Sequence, residues 1–291
     1  MSLTITTWPI VKSLLIASQV IGADPATWVA INPKQTEFLQ QYFTTTQMAD
    51  CAAFTNTELK SLASKDVTEL NQFLAAEGFA IKLKPFEGAN SFGVVAIFKV
   101  LVEWLTAGTK TELTYAEQTY PAVSMTQDFQ VFTPDDQQIA ASPVAAIATK
   151  SGDTVYLCIA DHQPASDFTL LTEIQQLKAE LQPATDYTEV IFPMVDLNRE
   201  EDLSWLLDLQ TADNTWYVKQ ALQQTKFTLN EVGAKVASAV AVEIKVRSSF
   251  KPVAKKLLID RPFYLWIERP GVSQPVFAAY LTPEVWRAVA Q

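Results

Sequence analysis

Between Gly233 and Arg247 apolar and small residues alternate with a period of two, over a stretch longer than the usual strand of about 5–6 residues. Ala234, Val236, Ser238, Val240, Val242 and Ile244 fall on one face, and Lys235, Ala237, Ala239, Ala241, Glu243 and Lys245 on the other. The first face carries no ion and the run contains no Pro, so the pattern predicts a half-buried strand. It stops at Arg247, and Ser248, Ser249, Phe250, Lys251 and Pro252 behind it read as an exposed loop. An ordinary edge or hairpin strand of small and β-branched residues carries the same period. A strand this long, ending at a bond that proteases favour, suggests instead a segment that is cut and then inserted.

The flanking patterns predict further elements. Lys226 to Asn230 alternates as a strand, Asp260 to Ile267 reads as a buried strand, and Gln274 to Leu281 leads to a closing Pro283. Pro9 and Gly22 bracket an apolar helix over Ile10 to Ile21. That run is short, is interrupted by Lys12 and Gln19 and follows no basic stretch, so it is read as a core helix and not as a targeting or membrane segment. Pro33 to Phe43 reads as a second helix, and Ala184 to Thr188 as a short polar connector.

Taken in order, these motifs resemble the serpin superfamily. Asn230-Glu231-x-Gly233 is similar to its hinge, followed by an alanine-rich reactive loop, the Pro-Phe strand at Pro262-Phe263 and a last strand ending before Pro283. Trp8-Pro9 with Gly22, Ala23 and Thr27 resembles a helix of the family that begins with Pro. Leu70-Asn71-Gln72-Phe73-Leu74 with Gly78 and Ile81 resembles its Ile-Asn-x-Trp-Val helix and Gly-x-Ile exit. Phe192-Pro193-Met194-Val195 followed by Asp202-Leu203 and Leu206 is similar to its Leu-Pro-x-Phe strand and the helix after it.

The resemblance implies a mixed α+β fold: one large, mostly antiparallel central sheet, two smaller sheets and a reduced helix set. It implies a single domain over residues 1–291 with an exposed reactive loop at about 231–252. In the family mechanism a serine protease attacks the exposed bond and forms an acyl-enzyme, and the freed loop then inserts as a new strand. Carried onto this chain, the reactive bond is Arg247-Ser248, and the hinge and inserting loop comprise Glu231, Gly233, Ala234, Val236, Ser238, Val240, Val242 and Ile244. Arg247 would fill an acidic specificity pocket, so the expected partner is a serine protease that prefers Arg or Lys. The other reading is a non-inhibitory serpin-fold protein, cleaved as a plain substrate or acting as a binding module.

Departures from the family pattern are specific. Ala234 stands where Thr or Ser is frequent, Val236 and Val240 are larger than the usual Ala and Thr, Gln223 replaces a histidine near the point of sheet opening, and Trp8 replaces the Ser of a Ser-Pro helix start. At 291 residues the chain is about one sixth shorter than the roughly 350 usual for the family. Thr27 runs directly into Trp28-Val29-Ala30-Ile31, which reads as a central-sheet strand, so the resemblance implies that the first helix and those normally lying between these positions are absent. That region binds heparin-like polyanions in many serpins, so no such partner is expected.

Composition and charge narrow the remainder. With 48% hydrophobic and 19% charged residues the chain can bury a large core, and the net charge of -10 disfavours nucleic acid and sulfated polymers. Neither a membrane partner nor a cofactor is expected. Two widely separated cysteines, Cys51 and Cys158, read as free buried thiols of a cytoplasmic protein. The single histidine, His162, lies in a polar loop run, and there is no Gly-rich phosphate loop, metal-ligand cluster or Gly-x-Ser-x-Gly elbow. An enzyme is therefore not expected. Glu200-Glu201-Asp202 reads as a helix start and Asp135-Asp136 as a hairpin turn.

Overall fold

A computed structural model of the chain describes residues 1–87, 91–99, 102–134, 142–160, 162–179, 181–234 and 255–288. The first elements are β1 (Leu3–Ile5), helix α1 (Trp8–Ile21), β2 (Trp28–Val29), α2 (Pro33–Gln41), α3 (Thr45–Asp50), β3 (Leu59–Ser64) and α4 (Val67–Ala76). Strands β4 (Gly93–Phe98), β5 (Val102–Glu103), β6 (Thr109–Tyr115), β7 (Gln118–Met125), β8 (Phe129–Pro134), β9 (Val144–Ala148) and β10 (Thr154–Ile159) precede α5 (Asp167–Ala179). The remaining strands are β11 (Leu181–Ala184), β12 (Tyr187–Pro193), β13 (Val195–Glu201), β14 (Gln210–Thr211), β15 (Gln223–Leu229), β16 (Gly233–Ala234), β17 (Lys255–Leu258), β18 (Phe263–Glu268) and β19 (Phe277–Leu281).

Helix α1 ends as its sequence requires. Gly22 adopts φ 70° in the left-handed region, and its N–H and that of Ala23 close on the carbonyls of Gln19 and Ser18. Trp8, Val11, Leu14 and Ser18 form its buried face. The Ser18 hydroxyl donates to the Leu14 carbonyl at 2.8 Å and accepts from the Trp28 indole at 2.9 Å, tying β2 to the helix.

The largest sheet has the order β1-β19-β18-β10-β9-β8-β11, antiparallel throughout. Leu265 and Trp266 are adjacent yet both fully buried, so β18 is covered on both faces, as its unbroken apolar run predicts. A second sheet, β17-β12-β7-β6, contains the one parallel pair among the described strands, β12 with β17. The others are two-stranded: β13-β15, β14-β2, β16-β5 and β3-β4. The mixed α+β class with one large antiparallel sheet and few helices is as expected, with the smaller sheets divided further than the expected two.

Three local expectations are corrected. Trp28 to Ile31 is no central-sheet strand: only Trp28–Val29 is extended, and it pairs with β14. The Asp202-Leu203 segment forms a single 3-10 turn, Ser204–Leu206, capped by the Asp202 carboxylate on the Ser204 N–H, and Glu200 and Glu201 belong to the end of β13. Ala184 to Thr188 is mostly strand, because β11 ends at Ala184 and β12 begins at Tyr187. Asp135 and Asp136 lie outside the described residues.

A half-buried cation anchors the base of the β3-β4 pair to the large sheet. The Arg269 guanidinium bonds Asp153 at 2.9 Å and Glu58 at 2.7 Å, with Asp153 only 2% exposed. The Asp153 hydrogen bonds, against the opposing effect of burial, hold Arg269 still more firmly charged.

Candidate functional site

The hinge motif closes a tight turn at the end of β15. Asn230 donates its N–H to the Gly233 carbonyl at 3.0 Å and receives the Gly233 N–H at 3.2 Å, while its side-chain oxygen accepts the N–H groups of Val232 and Gly233. The turn is fastened to the segment around β5. Trp104 gives its indole N–H to the Asn230 carbonyl at 2.9 Å and its backbone N–H to Val232 at 3.0 Å, Gly108 donates to Glu231 at 2.8 Å, and Lys110 pairs with the Glu231 carboxylate at 3.0 Å. Trp104 is itself buried, edge-on to Phe192 at 6.1 Å.

Gly233 has a steric reason to be glycine. Its φ is 138°, and a Cβ there would fall 2.3 Å from the Val102 carbonyl oxygen and 2.7 Å from the Glu103 Cα. The bare backbone lets β16 lie antiparallel on β5, with Gly233 opposite Glu103 and Ala234 opposite Val102. Since β16 also reverses direction from β15, it points back along the space between β4 and β15.

That space is a slot. Among the described residues β4 pairs only with β3 and β15 only with β13, so each presents an unpaired backbone edge. Between them lies a cavity of about 830 Å³. Its floor is α1, through Pro9, Ile10, Ser13, Leu14 and Ala17, and the extended segment after α4, residues 79–87, contributes its outer wall. The lips have two distinct faces. Phe98 and Phe227 join the main core, Phe98 edge-on to Phe54 and Phe227 stacked on Phe277 at 4.9 Å, whereas Val95 and Ile97 form a second apolar cluster with Leu70 and Leu74 of α4.

Glu77, at the end of α4, clamps that helix over β3 and β4. Its carboxylate accepts from Lys60 and from Lys99, each at 2.7 Å, and these hydrogen bonds hold it below the ordinary carboxylate range.

The predicted site residues are thus only partly on view. Glu231, Gly233 and Ala234 lie in the turn and the short strand at the slot mouth. Val236, Ser238, Val240, Val242, Ile244, Arg247 and Ser248 lie outside the described residues. Gln223 opens β15 opposite Glu201, and its side-chain oxygen is buried without a hydrogen-bond partner among the described residues. His162 is exposed in a loop beside Glu173 at 3.2 Å. Both cysteines are buried, and burial raises the Cys51 thiol to about 11. Sequence reasoning missed Trp104 and the 79–87 segment. A Trp two positions after the apolar run Val100 to Val102, and the alternation of Phe79, Ile81 and Leu83, were the available signals.

No family model and no curated protein matches the sequence. Solved structures do match in fold. Serpin48 of the insect Tenebrio molitor, described as a highly specific serpin, aligns with a TM-score of 0.61 at 11% identity, over 96% of this chain and 91% of that one. Human thyroxine-binding globulin complexed with thyroxine aligns with a TM-score of 0.63 at 13% identity, over 96% and 91%. The thermophilic serpin Tengpin in its native state gives 0.60 at 12% identity, over 97% and 88%. The chain has the serpin fold.

Proposed function

We propose that this serpin-fold chain is a suicide-substrate inhibitor of trypsin-like serine proteases, cleaved at Arg247-Ser248, whose freed loop fills the slot between β4 and β15. The observation that carries this reading is the placement of β16: Gly233, which closes the turn, and Ala234 after it form a strand at the mouth of a gap with two unpaired edges.

Register adds support. Continued without a shift from Gly233 opposite Glu103, an entering strand sets position 238 opposite Phe98, 240 opposite Ala96 and 242 opposite Val94. Continued from the Asn230–Gly233 bridge, it sets 236 opposite Phe227 and 238 opposite Thr225. Directly opposed residues share a face. The ion-free set Val236, Ser238, Val240 and Val242 then faces α1 and the main core with Phe98 and Phe227, while the alanines at 237, 239 and 241 face α4.

The chemistry belongs to the protease. Its serine oxygen attacks the Arg247 carbonyl carbon, the bond to the Ser248 nitrogen breaks, and that nitrogen leaves as a protonated amine, with Arg247 held as an ester. Insertion must outrun the water that would hydrolyse this ester. An SDS-stable band at the summed mass of inhibitor and trypsin, with a new N-terminus at Ser248, is the expected result; clean conversion to a nicked chain without that band contradicts inhibition.

The second reading, a non-inhibitory protein acting as substrate or binding module, has its own support. Ala234 departs from the usual hinge residue, and one structural neighbour is a thyroxine-binding globulin.

A further inference from the structure

The slot is a trough with an apolar interior and a cationic rim. On its floor Ser13 and Ala17 stand one helical turn apart on the face of α1 that Pro9, Ile10 and Leu14 share, and these small side chains keep the trough deep. Phe98 and Phe227 flank it from the two lips, and Phe92 and Trp216, edge-on at 5.5 Å, meet across the end away from the hinge turn. Phe79, Ile81, Leu83 and Phe86 of the 79–87 segment roof it. Gln224 accepts the Ala80 N–H at 2.8 Å, and Gln220 accepts the Lys84 N–H at 2.8 Å and donates to the Lys84 carbonyl at 3.1 Å, which joins the roof to the β15 side. A volume of about 830 Å³ is that of a small-molecule site, which is typically apolar with a few placed polar groups.

Charge at the rim runs against the trend of the chain. The net charge is -10, yet the charged side chains lining the slot are Lys84, Lys219 and Lys226 against Glu87 alone. Lys226 is engaged with the Gly78 carbonyl, whereas Lys84 and Lys219 are exposed and have no carboxylate partner among the described residues. Gln220, next to Lys219 in the chain and bonded to the Lys84 backbone, brings both lysine positions to one stretch of rim. Inside the slot the Gln223 side-chain oxygen is buried without a partner among the described residues, and an acceptor there repels a carboxylate.

We infer that the slot binds a long-chain monocarboxylate, a fatty acid in chemical class, with its hydrocarbon tail along the α1 floor between β4 and β15 and its carboxylate at the Lys84 and Lys219 rim. Removing the tail and the apolar lining from water supplies most of the affinity, and the two ammonium groups fix which end stays outside. A sugar or nucleotide would press polar groups against apolar lips, and an aliphatic amine would meet cations at the rim. Because the tail lies where the freed loop would pair, bound ligand and inserted strand exclude each other. That consequence, and not the binding itself, rests on the insertion reading above.

The probe is cis-parinarate, a long-chain polyene carboxylate that fluoresces when shielded from water, titrated into the full chain and then displaced with oleate. A single bound parinarate per chain is expected, displaced by oleate and not by oleylamine. Lys84→Gln combined with Lys219→Gln should weaken parinarate about tenfold, while methyl oleate, read by displacement, binds variant and parent alike. Ser13→Phe, which fills the trough, should abolish binding, and Ala17→Leu provides a second filled floor should the first fold poorly. No binding to the parent, binding that survives both filled floors, or methyl oleate binding the parent as tightly as oleate overturns the assignment. At an oleate level that leaves trypsin's turnover of a small substrate unchanged, trypsin should still cut after Arg247, but the trapped band should give way to nicked chain. Trapping that proceeds undiminished with ligand bound would place the tail elsewhere and sink the proposal. A parent that binds parinarate and loses it in Ser13→Phe, yet traps no trypsin with or without oleate, upholds the site and contradicts the insertion reading alone.

Discussion

The seven-stranded sheet and the two strand pairs beside the slot are built from the same kinds of residues to opposite ends. In the large sheet β18 has a partner along each edge, both faces are covered, and Trp266 stacks on Tyr156 at 4.9 Å. Beside the slot, β4 and β15 each leave an edge unpaired, their facing positions include Gly93, Ala96 and Thr225, and the connection between lips runs through glutamine and lysine side chains. One sheet has its bonds already made. The other holds unmade ones, which is where a cut chain could become more stable than an intact one.

The largest expected effect breaks the comparison if it is absent. Cleavage after Arg247 should raise the melting temperature by roughly 10 °C or more, because some 5 kcal/mol of new pairing moves a chain of this size by about 2–4 °C per kcal/mol. Val240→Asp should still be cut but should lose the gain and the covalent complex, since a carboxylate on the inward face costs several kcal/mol. An unchanged or lowered melting temperature of the cut parent would mean that the slot does not fill.

Leu265→Ala probes the completed sheet. It should cost about 2–5 kcal/mol and lower the melting of intact and cleaved protein alike, leaving their difference unchanged. Gly233→Ala acts on the unfinished region: the Cβ collides with the Val102 carbonyl, so about 1–3 kcal/mol is lost at the hinge, and trapping of trypsin should fall more than overall stability. A variant that traps as well as the parent would remove the hinge from the account.

The smallest effect concerns Glu77. Its folded pKa is depressed, so its contribution is complete above the unfolded value of about 4.3 and is lost as pH falls through the lower folded value. The stability difference between parent and Glu77→Gln, measured by denaturant titration, should therefore be present at pH 6 and fade toward pH 3. A constant difference would show that the Lys60 and Lys99 bonds do not depend on charge.

How far the sequence disclosed this arrangement depends on the range of the interactions. Pro9 and Gly22 bound α1 correctly because helix ends are local, and the apolar runs of β18 and β19 could only be buried strands. The turn at residues 230–233 is set locally, because Asn230 bonds residues two and three positions on. Trp104 was not legible, since its indole meets Asn230 across 126 positions, and the Gln224 tether to Ala80 spans 144. No local period encodes such pairs. Trp28 to Ile31 misled for the related reason that strand partnership is decided at Gln210 and Thr211, far along the chain.

Hydrogen exchange at the two lips tests the central claim most directly. In the intact protein, the slot-facing amides of β4 (residues 93–98) and β15 (residues 223–229) should exchange readily while those of β18 stay protected. After trypsin cleaves at Arg247, both lips should become as protected as β18. Lips that exchange at the same rate before and after the cut would contradict insertion into the slot.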